Sequence, residues 1–207
     1  MPRALLAVLL VPIAAATPAT AAPVPPPKGK EPPPYYFPTQ VGAEWVYDDD
    51  GAKYTFTVTK VERKAGAMLV TVGLSYGKTT QHSYTVEVGK SGIRETLNFN
   101  RKVEPPTPLL KVPFAKGDRW ESPMSLDGEK RADYVITVGG VEEVKVPAGT
   151  FKAVRVDKVS TGVDGKTNQT ITTWYARGVG PVRISYRRGP TRDLVSFTPG
   201  KPAPAKK

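Results

Sequence analysis

The chain contains no cysteine and a single histidine. The first absence removes disulfides and thiolate metal ligands, so stability has to come from burying a core. The second leaves a zinc site, which takes three or four His, Cys or carboxylate ligands, without its usual donors. A P-loop lysine motif, a dinucleotide glycine fingerprint and a nucleophile elbow are all missing. No stretch of about ten or more residues shows helical periodicity with caps. Beyond the N-terminus, no segment is long and charge-free enough to cross a bilayer as a helix, which takes about 20 residues. These absences exclude most recognisable chemistry, and neither a metal nor a cofactor is expected.

What is present begins with an address. Arg3 precedes the apolar run ALLAVLLVPIAAA and the small-residue stretch ATPATAA, the pattern of a secretory signal peptide cleaved after Ala21 or Ala22. The expected product is periplasmic or extracellular, not membrane-spanning and, with no thiol to carry a lipid, not lipid-anchored. The next residues, PVPPPKGKEPPPYYFP, carry too much proline for helix or sheet and read as an extended spacer; PGKPAPAKK at the other end has the same character. The expected organisation is a signal peptide over 1–22, a Pro-rich linker over 23–34, a single domain over 35–198 and a flexible basic tail over 199–207.

The formal charge is +11. Arg3 leaves with the signal, and Lys28, Lys30, Lys201, Lys206 and Lys207 against Glu31 place four of the remaining positive charges in the ends, so the domain keeps about six. Such a surface suits anionic membrane, acidic envelope polymers or partner proteins, and equally suits a soluble basic protein with no particular partner. Nucleic acid is not the expected partner of an exported chain.

The stretch YTFTVTKVE, Tyr54 to Glu62, returns 80 residues later as YVITVGGVE, Tyr134 to Glu142. In the first copy Tyr54, Phe56 and Val58 alternate with threonines, and in the second Tyr134, Ile136 and Val138 do the same, so each reads as a half-buried strand. In both, the apolar parity then slips by one, at Thr59-Lys60 and at Gly139-Gly140. A bulge there restores the inward face and bends the strand. Upstream, FPTQVGAEW is answered by FAKGDRW, and Asp50-Gly51 by Asp127-Gly128; downstream, Gly92-Ile93-Arg94 is answered by Gly180-Pro181-Val182-Arg183. Two copies of one antiparallel meander, over about 37–102 and 112–198, explain these correspondences. Asp164-Gly165 and Pro147 to Gly149 supply further hairpin turns, and Gly189-Pro190 a last one. The expected fold is mainly β, with little or no helix: about eight to ten strands in a strongly bent antiparallel meander, either a half-barrel or a sandwich.

The motifs FP-x-x-VG-x-x-W at Phe37 to Trp45, VKVPAGTFKAVRV at Val144 to Val156 and WYARGVGPVR at Trp174 to Arg183 resemble an exported bacterial family of domains of unknown function. Members of that family are often assigned the open β-barrel of periplasmic lipoprotein carriers of the LolA/LolB type. The resemblance implies a concave apolar face able to hold acyl chains. It brings no catalytic set with it.

Candidate site residues follow from composition and strand parity. His82, in TTQHSYTV, reads as a polar strand position; catalysis would need it beside a serine and a carboxylate. The run Asp48 to Gly51 suggests a calcium loop, but EF-type spacing would put Val46 and Thr57 at ligand positions, so a hairpin turn is the plainer reading. Glu142 and Glu143, adjacent in a strand, point to opposite faces and cannot share a substrate. Trp45, Trp120 and Trp174 either line a ligand cavity or belong to the core. Arg183, Arg187 and Arg192 form either an anion site on the last hairpin or a basic edge that discourages sheet association. The functional expectation is an exported, non-catalytic binding module holding a lipid or another apolar ligand on the concave face of the sheet. The alternative is an envelope interaction or structural protein that binds acidic polymers or partner proteins.

Overall fold

A computed structural model describes residues 35–76 and 79–201. The expected signal peptide, the Pro-rich linker and most of the basic tail lie outside the described residues. The described residues contain no helix: the chain runs up and down through twelve antiparallel strands. These are β1 (Glu44–Asp49), β2 (Ala52–Lys64), β3 (Ala67–Tyr76), β4 (Thr79–Gly89), β5 (Gly92–Asn98), β6 (Arg101–Lys111), β7 (Arg119–Leu126), β8 (Glu129–Val146), β9 (Gly149–Gly162), β10 (Thr167–Ala176), β11 (Gly180–Tyr186) and β12 (Thr191–Thr198).

The sheet is a closed barrel, which corrects the expected half-barrel or sandwich. Each strand pairs with its sequence neighbours, and β1 pairs with β12 from Glu44↔Thr198 to Asp49↔Arg192. Closure follows from curvature. Register shifts of the bulge kind fall at Val46/Tyr47, Val58/Lys60, Val72/Gly73, Thr85/Val86, Val138/Gly140 and Trp174/Tyr175, and each tightens the coil of its strand. When the first and last strands meet, neither leaves an edge of unpaired backbone. The shifts at Val58/Lys60 and Val138/Gly140 are the two slips of parity visible in the repeated stretch. The repeated turns also match, with left-handed backbone at Asp50 and Gly51 (φ 52° and 87°) and at Asp127 and Gly128 (φ 53° and 83°), the geometry that tight hairpins require.

Most of the apolar side chains of the strands face inward. Trp45, Val58, Val70, Val86, Val88, Ile93, Leu110, Ile136, Val138, Val154, Val182 and Leu194 are all essentially inaccessible. The charged side chains of the ion pairs Lys60–Glu62, Arg119–Glu121 and Lys130–Asp133 stand exposed. This alternation is opposite to that of a bilayer-spanning barrel, whose apolar band faces out.

Up-and-down topology puts the connections β2–β3, β4–β5, β6–β7, β8–β9 and β10–β11 at one end of the barrel and the other hairpin turns at the far end. The first end is plugged by the segment Tyr35 to Pro38. Phe37 sits 5.4 Å from Trp45 and 6.4 Å from Tyr84 between ring centroids, and Tyr36 packs edge-on against Phe114 at 5.8 Å. The segment is tied down by Gly178 N–H donating to the Tyr35 carbonyl (2.8 Å). Gly180 lies against it at φ +88°, a left-handed backbone that favours glycine. From β1, Trp45 Nε1 and Tyr47 Oη donate to the carbonyls of Val179 (2.6 Å) and Pro181 (2.7 Å). These bonds satisfy the polar ends of two large buried rings.

Candidate functional site

The inner wall changes character towards the far end. Ladder pairing carries one row of inward side chains around the barrel, from Trp120 through Ile136, Lys158 and Ile171 to Tyr186. Lys158 is the anomaly in that row. In β9 it follows Val154 and Val156 at a spacing of two, so the alternation that turns the valines inward turns the lysine inward as well. It lines a cavity of about 40 Å³ together with Leu109, Ile136, Val156, Ile171, Thr173 and Tyr175.

The Lys158 ammonium lies 4.5 Å from the centroid of the Tyr134 ring, in cation–π range. Among the described residues, no carboxylate comes within ion-pair distance of it. Burial lowers its pKa, and the charge of Glu95 partly offsets the shift. Glu95 reaches the same wall from β5, where it pairs with Val86 and Thr107 and accepts from Asn98 Nδ2 (2.8 Å). Burial, followed by the Glu95 charge, pushes the Tyr134 hydroxyl up to about 12, and the same two causes lift that of Tyr175. Tyr84 is lifted by burial, then Tyr175, then Glu95. These phenols remain neutral donors throughout the physiological range.

A second charged group closes the mouth. Arg192 of β12 donates to Asp49 of β1 (2.6 Å) and lies 5.2 Å from the ring centroids of both Tyr54 and Tyr186. Asp49 Oδ1 and Thr107 Oγ1 are buried without a hydrogen-bond partner. The far end of the lumen is therefore a half-buried collar of tyrosines, with one lysine over an apolar floor and one arginine already neutralised.

The candidates read from sequence fall elsewhere. Trp45 and Trp120 point inward as core residues, with Trp120 Nε1 donating to the Pro108 carbonyl (3.1 Å). Trp174, adjacent to the inward Thr173, takes the outer face, where its indole N–H donates to Glu142. None of the three lines the cavity, and they do not converge. Arg183 faces outward and is paired with Asp193 (2.5 and 2.9 Å) and with the Lys145 carbonyl (3.0 Å). Arg192 faces inward, and Arg187 lies exposed just beyond β11, so the structure separates the three arginines. His82 accepts from the Asn100 N–H (3.0 Å) and lies 3.1 Å from the Thr85 hydroxyl. Asp48 Oδ1 accepts from Gly51 N–H (2.8 Å), which caps the hairpin turn. Among the described residues, no group of three or more His, Cys, Asp or Glu converges to hold a metal ion.

Lys158 and Glu95 were missed by the sequence reading, although each leaves a signal. Both stand at an apolar parity, Lys158 in phase with Val154 and Val156 and Glu95 in phase with Ile93. A charge in phase with a core stripe marks an inward polar group.

Residues 108–189 are similar to the family described as a protein of unknown function (DUF3108). That stretch runs from β6 to the end of β11 and contains the floor of the cavity. No curated protein matches the chain. A solved structure from Bacteroides fragilis, described as an exported protein with a YmcC-like fold, shares 16% identity, 79% of this chain, 99% of its own and a TM-score of 0.54. A Parabacteroides distasonis structure, described as a lipoprotein, shares 16% identity over 81% of this chain and 100% of its own, at a TM-score of 0.48. The first likeness shows the fold alone. The second description differs from the expectation of a chain without a lipid anchor, and at that TM-score it carries no argument.

Proposed function

We propose that this chain is an exported, non-catalytic binding module whose site is the far end of the barrel lumen, and that its ligand is an amphiphile with an acidic head. The observation that carries the reading is Lys158, an ammonium turned into an apolar lumen with no carboxylate partner beside it. A protein that needed only a core would gain stability from a leucine or methionine at that position, because an unpaired charge is costly to bury. A polar group kept against that cost marks a functional site. The acid of the ligand pairs with Lys158 in the cavity beside Leu109, Ile136 and Ile171, while its apolar chain stays outside that cavity.

The concave face that the carrier resemblance implies would correspond to the inner wall of the closed barrel, which among the described residues is lined largely by packed side chains and holds a small cavity beside Lys158. About 40 Å³ admits the few atoms of a head group and not an acyl chain. In the state described, a chain lies along the tyrosine collar or enters only as the wall yields.

The test is a fluorescence titration with dansyl-undecanoic acid against the wild type and Lys158→Met. Saturable binding is expected in the wild type, with affinity falling at least about tenfold in the variant, as loss of one semi-buried charge pair implies. No saturable signal in the wild type would end the reading. The filled interior itself favours the alternative, in which the basic outer surface holds acidic envelope polymers or partner proteins. That association would disappear as salt rises and would not respond to Lys158→Met.

A further inference from the structure

We propose that the barrel wall has a lateral port between β6 and β7, through which the acidic amphiphile reaches the lumen sideways; the inference rests on the binding reading above. β8 and β9 keep ladder partners from Ala132↔Gly162 to Val146↔Gly149. β6 and β7 share only Val103↔Leu126 among the described residues. The seam is pinned at both ends and unladdered between them. At the far end, the Asp127 N–H donates to the Lys102 carbonyl (2.9 Å), and the Asp127 carboxylate accepts from Lys102 N–H and from Arg101 Nε (2.8 Å each). Towards the plugged end, the Trp120 indole holds the Pro108 carbonyl.

The stretch between the pins cannot be laddered as its neighbours are. Pro105, Pro106 and Pro108 in β6, and Pro123 in β7, have no N–H to donate. β6 leaves its other neighbour at the same place, since its pairing with β5 jumps from Leu97↔Lys102 to Glu95↔Thr107. Val103 to Pro106 therefore lie outside the β5 ladder, and beyond Val103 they lack the β7 ladder too.

The inner side of this window leads to the site. Continued from Val103↔Leu126, the antiparallel register places Thr107 opposite Ser122 and Leu109 opposite Trp120. Thr107 and Ser122 are both buried, the Thr107 hydroxyl has no partner, and Leu109 lines the cavity beside Lys158. Opening here breaks fewer backbone hydrogen bonds than at the long ladders and hydrates an orphaned hydroxyl, so this is where the wall yields first.

The absence of native cysteine makes a clean test possible. In Thr107→Cys/Ser122→Cys, oxidation closes the port and reduction reopens it in the same molecule, so folding is controlled internally. Stopped-flow uptake of dansyl-undecanoic acid is expected to slow at least about tenfold on oxidation and to recover on reduction. Equal rates in the two states overturn the port while leaving the binding reading intact; failure of the wild type to take up the probe defeats that reading and the port with it. A pair that does not oxidise contradicts the inferred register. Hydrogen exchange tests the seam without any ligand: the amide of Glu104, which lies outside both the β5 and the β7 ladders, is expected to exchange well before those of the β8–β9 ladder, and equal protection overturns the inference.

Discussion

Replacing Arg192 by methionine removes a charged bond that ties the last strand to the first at the mouth of the barrel. Asp49 and Arg192 are direct cross-strand partners in the closing seam, joined at 2.6 Å, with side-chain exposures of 8% and 28%. Without the guanidinium, Asp49 keeps a buried carboxylate whose Oδ1 already lacks a partner. Breaking a fully buried pair from one side costs about 3–5 kcal/mol. Because Arg192 is partly solvated, the expected loss is about 2–4 kcal/mol, which for a domain of this size lowers Tm by about 5–15 °C. Removing both charges in Asp49→Val/Arg192→Met leaves no orphan, so the double variant is expected to lose far less than the sum of the single losses. Urea unfolding followed by tryptophan fluorescence measures all three proteins. A single-variant loss below about 0.5 kcal/mol, or strictly additive losses, would refute the claim that this pair seals the closing seam.

Three further outcomes are expected. Lys158→Met should raise stability by about 1 kcal/mol in the same urea assay, since it removes a charge from an apolar wall; a loss would mean that the ammonium has a structural partner. Gly92→Ala should cost about 3 kcal/mol or more, because Gly92 is at φ +123° and a Cβ there would come 1.9 Å from the Leu110 carbonyl oxygen; thermal melts decide it, and a neutral result would show that the β5–β6 approach is looser than described. Burial lowers the His82 pKa from its ordinary 6.5, so the folded state holds the ring neutral where the unfolded chain binds a proton. Its contribution to stability is full above pH 6.5 and is lost as pH falls through the lower folded value. His82→Gln should flatten the stability profile on the acid side of pH 6.5, and an unchanged profile would exclude the ring as its source.

The class of fold was legible because strands announce themselves locally. Alternation of Tyr54, Phe56 and Val58, the repeated Asp-Gly turns and the parity slips near Thr59 and Gly139 are each written within a few residues, and the register shifts fall where the slips do. Closure was not legible, because the pairing of Glu44 with Thr198 and of Asp49 with Arg192 joins segments at opposite ends of the chain, and no local pattern encodes it. The tryptophans drew attention by size, yet size does not tell an inward core ring such as Trp45 from an outward one such as Trp174. Lys158 drew none because it reads as one more charge in a basic protein; only its phase with Val154 and Val156 sets it apart. Arg183 and Arg192 illustrate the same limit in reverse. Arg183 and Arg192 land on opposite faces because the β11–β12 register pairs Arg183 with Asp193 and Arg192 with Ile184, and spacing alone does not fix that register.

The most direct test of the central claim is native mass spectrometry of the mature protein, purified without detergent from its source organism, alongside Lys158→Met prepared in the same way. The account predicts a mass adduct on the wild type that extracts into organic solvent as an acidic amphiphile and is absent or much reduced on the variant. A clean unliganded mass for the wild type, or an adduct indifferent to Lys158, would contradict it.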